Sequence, residues 1–167
     1  MTNAEPLHVG CYDGKILVIG YGNELRGDDA VGPRVAMAVV EWELPGVRAL
    51  AAHQLTPELA EPISRSRTVI FADAALSTEN EEITAVQVEP FPKAGMQAHT
   101  SDPRVLLALA EALYGVCPPA WLIKIPAVSF NLGEPLSAVA ERGLAVGLEK
   151  VRQLLDSTLS NSRSRPS

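Results

Sequence analysis

The sequence predicts an α/β fold, a three-layer sandwich in which about five mostly parallel strands form a twisted sheet with helices on both faces. Short apolar runs without polar alternation recur along the chain, and such runs are typical of strands that are covered on both faces. Segments with apolar residues at helical spacing separate most of these runs, which favours a parallel sheet. The 167 residues are enough for one domain that buries its core without disulfides or zinc.

The first strong motif predicts a strand, a tight turn and a helix. Residues 16–20 form the apolar strand, and Gly20 and Gly22 allow the backbone to turn and to approach a neighbour closely, because neither carries a Cβ. Helical spacing begins after Asp28, which is predicted to be the N-cap, with Asp29 in the first turn. Two carboxylates therefore lie just beyond the carboxyl end of the first strand, where open α/β sheets bind ligands.

The remaining elements are predicted in the order strand, helix, two strands, helix, strand, helix. Further strands are predicted at residues 47–54, 67–75, 83–90 and 120–127, and further helices at 56 to about 64, from Ser101 or Asp102 to Gly115, and from Ser137 onward. The run at 83–90 alternates apolar and polar residues, which is typical of a half-exposed edge strand. The last two helices are predicted to bury Val105, Leu106, Leu109 and Leu113, and Leu144, Leu148, Val151 and Leu155, respectively.

Composition narrows the function classes. The net charge of -6 and the absence of a basic patch in the ordered part argue against a nucleic-acid partner. No apolar run approaches the roughly 20 residues of a membrane span, and the first residues lack the features of a signal peptide, so a cytoplasmic location is expected. Residues 1–13 are predicted to be a flexible leader, 14–157 a single α/β domain and 158–167 a disordered Ser-rich tail.

Three side chains that are far apart in sequence are predicted to meet at one edge of the sheet. Asp29 follows the first strand, Asp73 ends the third, and His99 precedes the helix that leads to the fifth. The first and third strands are neighbours in the commonest doubly wound orders, so both acids face the same crevice. Two carboxylates and an imidazole make a three-ligand metal set that leaves positions open for water or substrate.

Each of these residues also has a purely structural interpretation. Asp28 can serve only as an N-cap, and Asp29 can be a first-turn acid that the helix dipole stabilises. Asp73 can cap the following turn, and His99 can be an ordinary polar loop residue. His53 is a rival ligand at the same edge, although a buried, hydrogen-bonded histidine is the more common case. The metal hypothesis depends on the coincidence of the three.

Dinucleotide binding is the obvious competing function, since Gly20-Tyr21-Gly22 begins like a G-x-G-x-x-G fingerprint. Leu25 occupies the place of the third glycine, and the second strand ends without an acid for a ribose. A pyrophosphate at this helix N-terminus would also meet the negative charges of Asp28 and Asp29. A cation fits this edge better than an anion.

The same residues resemble a known family. Gly20-Tyr21-Gly22-Asn23, followed by Asp28-Asp29 and Gly32, is similar to the signature G-x-G-N-x-x-x-x-D-[DE]-x-x-G of the hydrogenase maturation proteases. These endopeptidases trim the C-terminal extension of a [NiFe]-hydrogenase large-subunit precursor. The similarity continues through FADAA around Asp73, through His99, and through SFNLGEPLS at 129–137. It implies an α/β sandwich with a twisted five-stranded sheet, and metal binding by Asp29, Asp73 and His99.

The resemblance further implies a nickel-dependent endopeptidase whose partner is the large-subunit precursor. The precursor brings the nickel, for which zinc or cadmium can substitute. A water polarised by the metal, or positioned by Asp28 or Asp29, would attack the scissile carbonyl, so Asp28, Asp29, Asp73 and His99 are the predicted catalytic residues. Two other hypotheses stay open: a noncatalytic binding protein or chaperone of the large subunit on the same scaffold, and a nucleotide-binding enzyme.

Overall fold

The computed structural model describes residues 14–77, 82–92 and 101–163. The strands are β1 (Ile16–Tyr21), β2 (Val47–Ala52), β3 (Thr68–Leu76), β4 (Ala85–Val88) and β5 (Ala120–Ala127). The helices are α1 (Val31–Glu41), α2 (Ala60–Ser64), α3 (Pro103–Tyr114) and α4 (Ala138–Arg163). Short 3-10 turns, Gly27–Ala30 and Pro57–Leu59, precede α1 and α2. None of the helices in these ranges is both long and apolar enough to cross a membrane.

The strands form one sheet in the order β2-β1-β3-β5-β4. All neighbouring pairs are parallel except β4 and β5, which are antiparallel. The predicted adjacency of the first and third strands is confirmed, with Gly20 opposite Ala72 in the β1–β3 register. The short strand β4 lies at the edge and is partly exposed, as its alternating sequence predicted.

Helices cover both faces of the sheet, which confirms the predicted three-layer α/β sandwich. Alternate residues of β1 point to opposite faces, as the strand period of two requires. Ile16 and Val18 belong to the core that α1 and α4 cover, whereas Leu17 and Ile19 belong to the core that α2 and α3 cover. Every residue of β1 is buried, as expected for an internal strand that is covered on both faces.

Helix α1 lies close to β1, and glycines stand at the contact. A Cβ on Gly20 would lie 1.8 Å from the carbonyl oxygen of Gly32, and a Cβ on Gly32 would lie 2.2 Å from that of Tyr21. Real side chains do not approach a carbonyl so closely, so any larger residue would push the helix away from the strand. The close approach predicted for Gly20 is confirmed, and it holds the turn that carries Asp29 against the end of β1.

The helix boundaries confirm most of the predicted caps. The Asp102 carboxylate accepts a hydrogen bond from the backbone N–H of Arg104 at 2.9 Å, and Gly115 ends α3 in the left-handed conformation with a φ of 70°. The Ser137 hydroxyl accepts a bond from the backbone N–H of Ala140 at the start of α4. Leu113 departs from prediction, because its side chain is 58% exposed instead of buried.

The prediction of a disordered tail from residue 158 is wrong for residues 158–163, which continue α4. The Thr158 and Ser160 hydroxyls donate to the carbonyl oxygens of Leu154 and Asp156, at 2.7 and 2.8 Å. These bonds within the helix satisfy polar side chains that otherwise compete with helical structure. Leu159 packs against the core, and the Ser-rich composition of this segment does not indicate that apolar contact. The predicted leader, 1–13, and residues 164–167 lie outside the described ranges.

Candidate active site

Asp29 lies in the 3-10 turn between β1 and α1 and is partly buried. Its carboxylate accepts a hydrogen bond from the backbone N–H of Asn23 at 2.7 Å. Gly22, with a φ of 147°, runs so close to the turn that a Cβ there would lie 2.1 Å from the Asp29 carbonyl oxygen. The motif residues Gly22 and Asn23 therefore hold Asp29 at the carboxyl end of β1.

Asp73 lies in β3, one residue beyond Ala72, the last partner of β1 in the register. The strand continues to Leu76, so Asp73 stands inside β3 and not at its end as predicted. It is nevertheless level with the carboxyl end of β1, where the prediction placed it. The Tyr21 hydroxyl donates a hydrogen bond to the Asp73 carboxylate.

The electrostatics show that Asp29 and Asp73 share one environment. The pKa of Asp73 is raised to about 6, first by burial and then by the negative charge of Asp29, against the lowering effect of the Tyr21 hydroxyl, the Ala74 backbone N–H and Lys124. Burial and the charge of Asp73 also raise the pKa of Tyr21, which therefore stays protonated and remains a donor. Since like charges oppose each other here, a bound cation would relieve the repulsion.

The N-terminus of α3 reaches the same edge of the sheet. The charge of Asp102, the N-cap of α3, contributes to the raised pKa of Tyr21. His99 stands three residues before Asp102 in the sequence and lies outside the described residues. Within the described ranges, no group of three His, Cys, Asp or Glu side chains is arranged to hold a metal. The structure thus brings Asp29 and Asp73 together, and the role of His99 stays a prediction.

Asp28 is not the N-cap that the sequence predicted. It lies inside the 3-10 turn that precedes α1, its side chain makes no capping bond, and it is fully buried. Its carboxylate instead accepts four hydrogen bonds from distant residues: the backbone N–H groups of Val128 (2.8 Å), Ser129 (3.1 Å) and Ser137 (2.7 Å), and the Ser137 hydroxyl (2.8 Å). Burial would raise the pKa of Asp28, but these four donors hold it below its ordinary value.

Solved structures with a similar fold include proteins that are named as hydrogenase maturation proteases. The hydrogenase maturating endopeptidase HybD from E. coli matches with a TM-score of 0.71 and 24% identity, over 86% of this chain and 93% of that chain. The [NiFe] hydrogenase maturation protease HycI from Thermococcus kodakarensis matches with a TM-score of 0.66 and 22% identity, over 86% and 93%. The hydrogenase 2 maturation peptidase from a Thaumarchaeota archaeon matches with a TM-score of 0.60 and 25% identity, over 84% and 97%.

The chain has the fold of the hydrogenase maturation proteases. The resemblance that its motifs predicted is thereby confirmed at the level of the fold. A scan against protein-family models finds no match, and a search of curated proteins finds no similar sequence.

Within this maturation-protease fold, residues 129–137 hold the side chain of Asp28. Its backbone N–H groups and Ser137 hydroxyl bind Asp28, and the Ser129 carbonyl oxygen accepts a bond from the Asp28 N–H at 2.9 Å. An ionised carboxylate offers about four acceptor positions, and the donors around Asp28 occupy that number. The geometry therefore supports Asp28 as an anchor for the turn that carries Asp29, while its predicted part in cleavage stays a prediction.

His53 is exposed, so the interpretation of a buried, hydrogen-bonded histidine is wrong. It directly follows β2, whose last residue, Ala52, accepts a hydrogen bond from the Gly22 N–H at 3.0 Å. His53 lines a cavity that borders Gly22 and Asn23. No three-residue metal cluster within the described ranges includes it.

Sequence reasoning missed Tyr21 and the charge of Asp102 as parts of this edge. A phenol between the two glycines at the end of a buried strand was the available signal, because a buried Tyr hydroxyl needs a hydrogen-bond partner. Asp102 was identified only as a possible helix cap. Its second effect, on the pKa of Tyr21, depends on where α3 begins in space.

Proposed function

We propose that the protein is a nickel-dependent endopeptidase that removes the C-terminal extension of a [NiFe]-hydrogenase large-subunit precursor. The main support is the pair of carboxylates at the carboxyl end of β1, Asp29 in the turn that follows it and Asp73 in the adjacent strand β3, which are close enough for one charge to act on the other. This edge is where open α/β sheets bind ligands. The same fold occurs in proteins that are named hydrogenase maturation endopeptidases.

The donor chemistry fits a borderline divalent ion. Carboxylate oxygens of Asp29 and Asp73 with the imidazole of His99 would suit nickel, and zinc or cadmium as substitutes. In this proposal nickel belongs to the substrate, so only precursors with a loaded metal centre are recognised. When bound, the ion supplies Lewis-acid chemistry near the scissile peptide bond. The chain itself keeps its ligands in place, with Asn23 holding Asp29 and Tyr21 holding Asp73.

A processing assay tests the proposal. Incubation of the purified protein with a nickel-loaded precursor should release a short C-terminal peptide, detected by mass spectrometry. A precursor prepared without nickel should stay intact. The variants D29N, D73N and H99A should lose processing, whereas E111Q, which alters an exposed acid on α3, should keep it. Equal processing of loaded and nickel-free precursor would contradict nickel dependence.

Two binding measurements, made beside the processing assay, separate the two other hypotheses. A noncatalytic binding protein or chaperone would bind the precursor without releasing a peptide, and D29N and H99A would bind it as the wild type does. A nucleotide-binding enzyme would show micromolar affinity for NAD or ATP in calorimetry. Either outcome would overturn the proposed peptidase activity.

A further inference from the structure

A cavity of about 350 Å³ lies at the carboxyl ends of β1 and β2, where Gly22 and Asn23 line it. Pro33 of α1 and Ala51 and Ala52 of β2 supply apolar lining, and Leu25 supplies more from the loop before the 3-10 turn. The volume falls at the lower end of the roughly 300–1,000 Å³ that is usual for ligand pockets. Small apolar side chains leave this space open, and none of the roles described above uses it.

The backbone of Leu25 is held in place, whereas its side chain faces solvent. The side chain is 68% exposed. Its backbone N–H donates to the Asn23 side-chain oxygen at 2.9 Å, and its carbonyl oxygen accepts from the Gly133 N–H at 2.8 Å. Single exposed leucines are ordinary on protein surfaces. Leu25 differs because hydrogen bonds fix its backbone at the wall of a cavity, which lowers the cost of ordering this residue around a ligand.

Asn23 connects this cavity directly to Asp29. Its backbone N–H donates to the Asp29 carboxylate, and its side-chain oxygen accepts from the Leu25 N–H. Both bonds are short, so the cavity wall and the carboxylate are fixed relative to each other. An extended peptide advances about 3.3 Å per residue, so a peptide bond held at Asp29 would have a neighbouring side chain within reach of the cavity.

We propose, on the basis of the peptidase function proposed above, that this cavity is a specificity pocket for an aliphatic side chain of the precursor next to the scissile bond. The apolar lining favours burial of an aliphatic group over a polar one. Glu24 and His53 also line the cavity and are exposed, so they form a polar rim. The negative charge of the Glu24 carboxylate would repel an acidic side chain, so the pocket would select against acidic residues.

Two variants of the pocket and one matched control test this. L25S removes the apolar wall, and A51F fills the cavity. L113S replaces another exposed leucine, 58% exposed on α3 and outside the cavity lining, and serves as the control. With the nickel-loaded precursor, L25S and A51F should lower kcat/KM about tenfold or more, as expected for a lost apolar pocket contact. L113S should match the wild type, and the nickel affinity of all three should be unchanged.

A double-mutant cycle identifies the side chain that the pocket takes. Each precursor residue within two positions of the cleavage site is replaced by Ser in turn. At one aliphatic position the replacement should lower kcat/KM for the wild-type enzyme but have much less effect with L25S, because the two changes remove the same contact. Wild-type kinetics for L25S and A51F, or strictly additive losses at every position, would overturn the pocket.

The affinity for the loaded precursor distinguishes a wrong pocket from a wrong function. If the wild type binds without cleaving, and L25S weakens binding about tenfold while L113S does not, the peptidase proposal fails and the recognition site stands. Equal binding by wild type, L25S and A51F overturns the pocket whether or not cleavage occurs. An absence of both binding and cleavage by the wild type overturns both. Thermal unfolding of each variant verifies that it is folded.

Discussion

Asp28 and Asp29 are neighbours in the sequence, yet their carboxylates serve different parts of the molecule. Asp29 bonds to Asn23, six residues away, whereas Asp28 bonds to groups 100 to 109 residues away. Local patterns describe bonds of the first kind and cannot describe the second. Local patterns therefore predict the correct edge of the sheet for both acids, but they predict a capping role for Asp28 that the structure does not show.

At Asp28, we predict that D28N is destabilising. An amide offers one oxygen, so its NH₂ group would face either the Ser137 N–H or the three donors that now bond to the other oxygen. A buried donor facing another donor, together with the loss of a charge-assisted bond, should lower the free energy of unfolding by roughly 2–4 kcal/mol. Denaturant titration with a constant m value is the measurement.

D29N is the matched control for D28N. Asp29 is partly exposed, and its carboxylate accepts one bond from the Asn23 N–H, which an amide oxygen can also accept. The free energy of unfolding of D29N should stay within about 1 kcal/mol of wild type. Comparable losses for D28N and D29N would show that Asp28 is not the anchor described here.

Asp73 gives a prediction about pH. Its pKa is raised from 3.8 to about 6 in the folded protein, so between these values the folded chain holds a proton that the unfolded chain has released. The stability of the metal-free protein should therefore fall as pH rises through this window, with the full loss present above about pH 6. D73N removes the buried charge and keeps an acceptor for Tyr21, so it should stabilise the metal-free protein at pH 8.

Each pKa unit corresponds to about 1.4 kcal/mol, so the gain from D73N at pH 8 should not exceed about 3 kcal/mol. At pH 4 the gain should be small, because the wild-type carboxyl is already protonated when folded. Denaturant titrations of both proteins with chelator at the two pH values make the comparison. A D73N protein that is less stable than wild type at pH 8 would contradict the buried, repelled carboxylate.

Among the elements, the unit of β1, the 3-10 turn and α1 sets the position of Asp29. In G32A the new Cβ would meet the carbonyl oxygens of Tyr21 at 2.2 Å and Ala72 at 2.8 Å, and both are backbone atoms of the central sheet. The helix must move away from β1 and β3, at a cost of about 1–3 kcal/mol or more. Nickel affinity should fall as well, since the turn moves with the helix.

G115A separates this packing effect from ordinary glycine strain. Gly115 has a φ of 70°, and no atom lies within 4 Å of the position where its Cβ would be. G115A should therefore cost about 1 kcal/mol through backbone strain and leave nickel affinity unchanged. Thermal unfolding and nickel calorimetry on both variants make the test. Equal nickel affinity for G32A and wild type would contradict the proposed dependence of Asp29 on the close helix.

Elements with strong local signals were predictable and those stabilised by distant contacts were not. Strand β5 was predicted with its observed bounds, Ala120–Ala127, because an apolar run stands between a Pro pair and a polar loop. The end of α4 was mispredicted, because Ser-rich sequence suggests disorder while Leu159 is held by the core. Local composition cannot report such a contact.

For the whole molecule, parallel topology explains why the site could be anticipated at all. The carboxyl ends of parallel strands share one edge of the sheet. Asp29 follows β1 and Asp73 lies in β3, so the two acids approach each other because these strands are neighbours. The bond from Tyr21 to Asp73 could not be anticipated, because it depends on side-chain packing at that edge. The third predicted ligand, His99, lies outside the described ranges, so its part in the site stays a prediction.

The location of bound nickel tests the central claim most directly. Crystals of the protein grown with nickel, measured at the nickel absorption edge, should show an anomalous peak about 2.0–2.2 Å from carboxylate oxygens of both Asp29 and Asp73 and from an imidazole nitrogen of His99. The peak should be absent in crystals of D29N grown in the same way. A nickel ion bound elsewhere, for example at His53 and Glu24, with none between Asp29 and Asp73, would contradict the account.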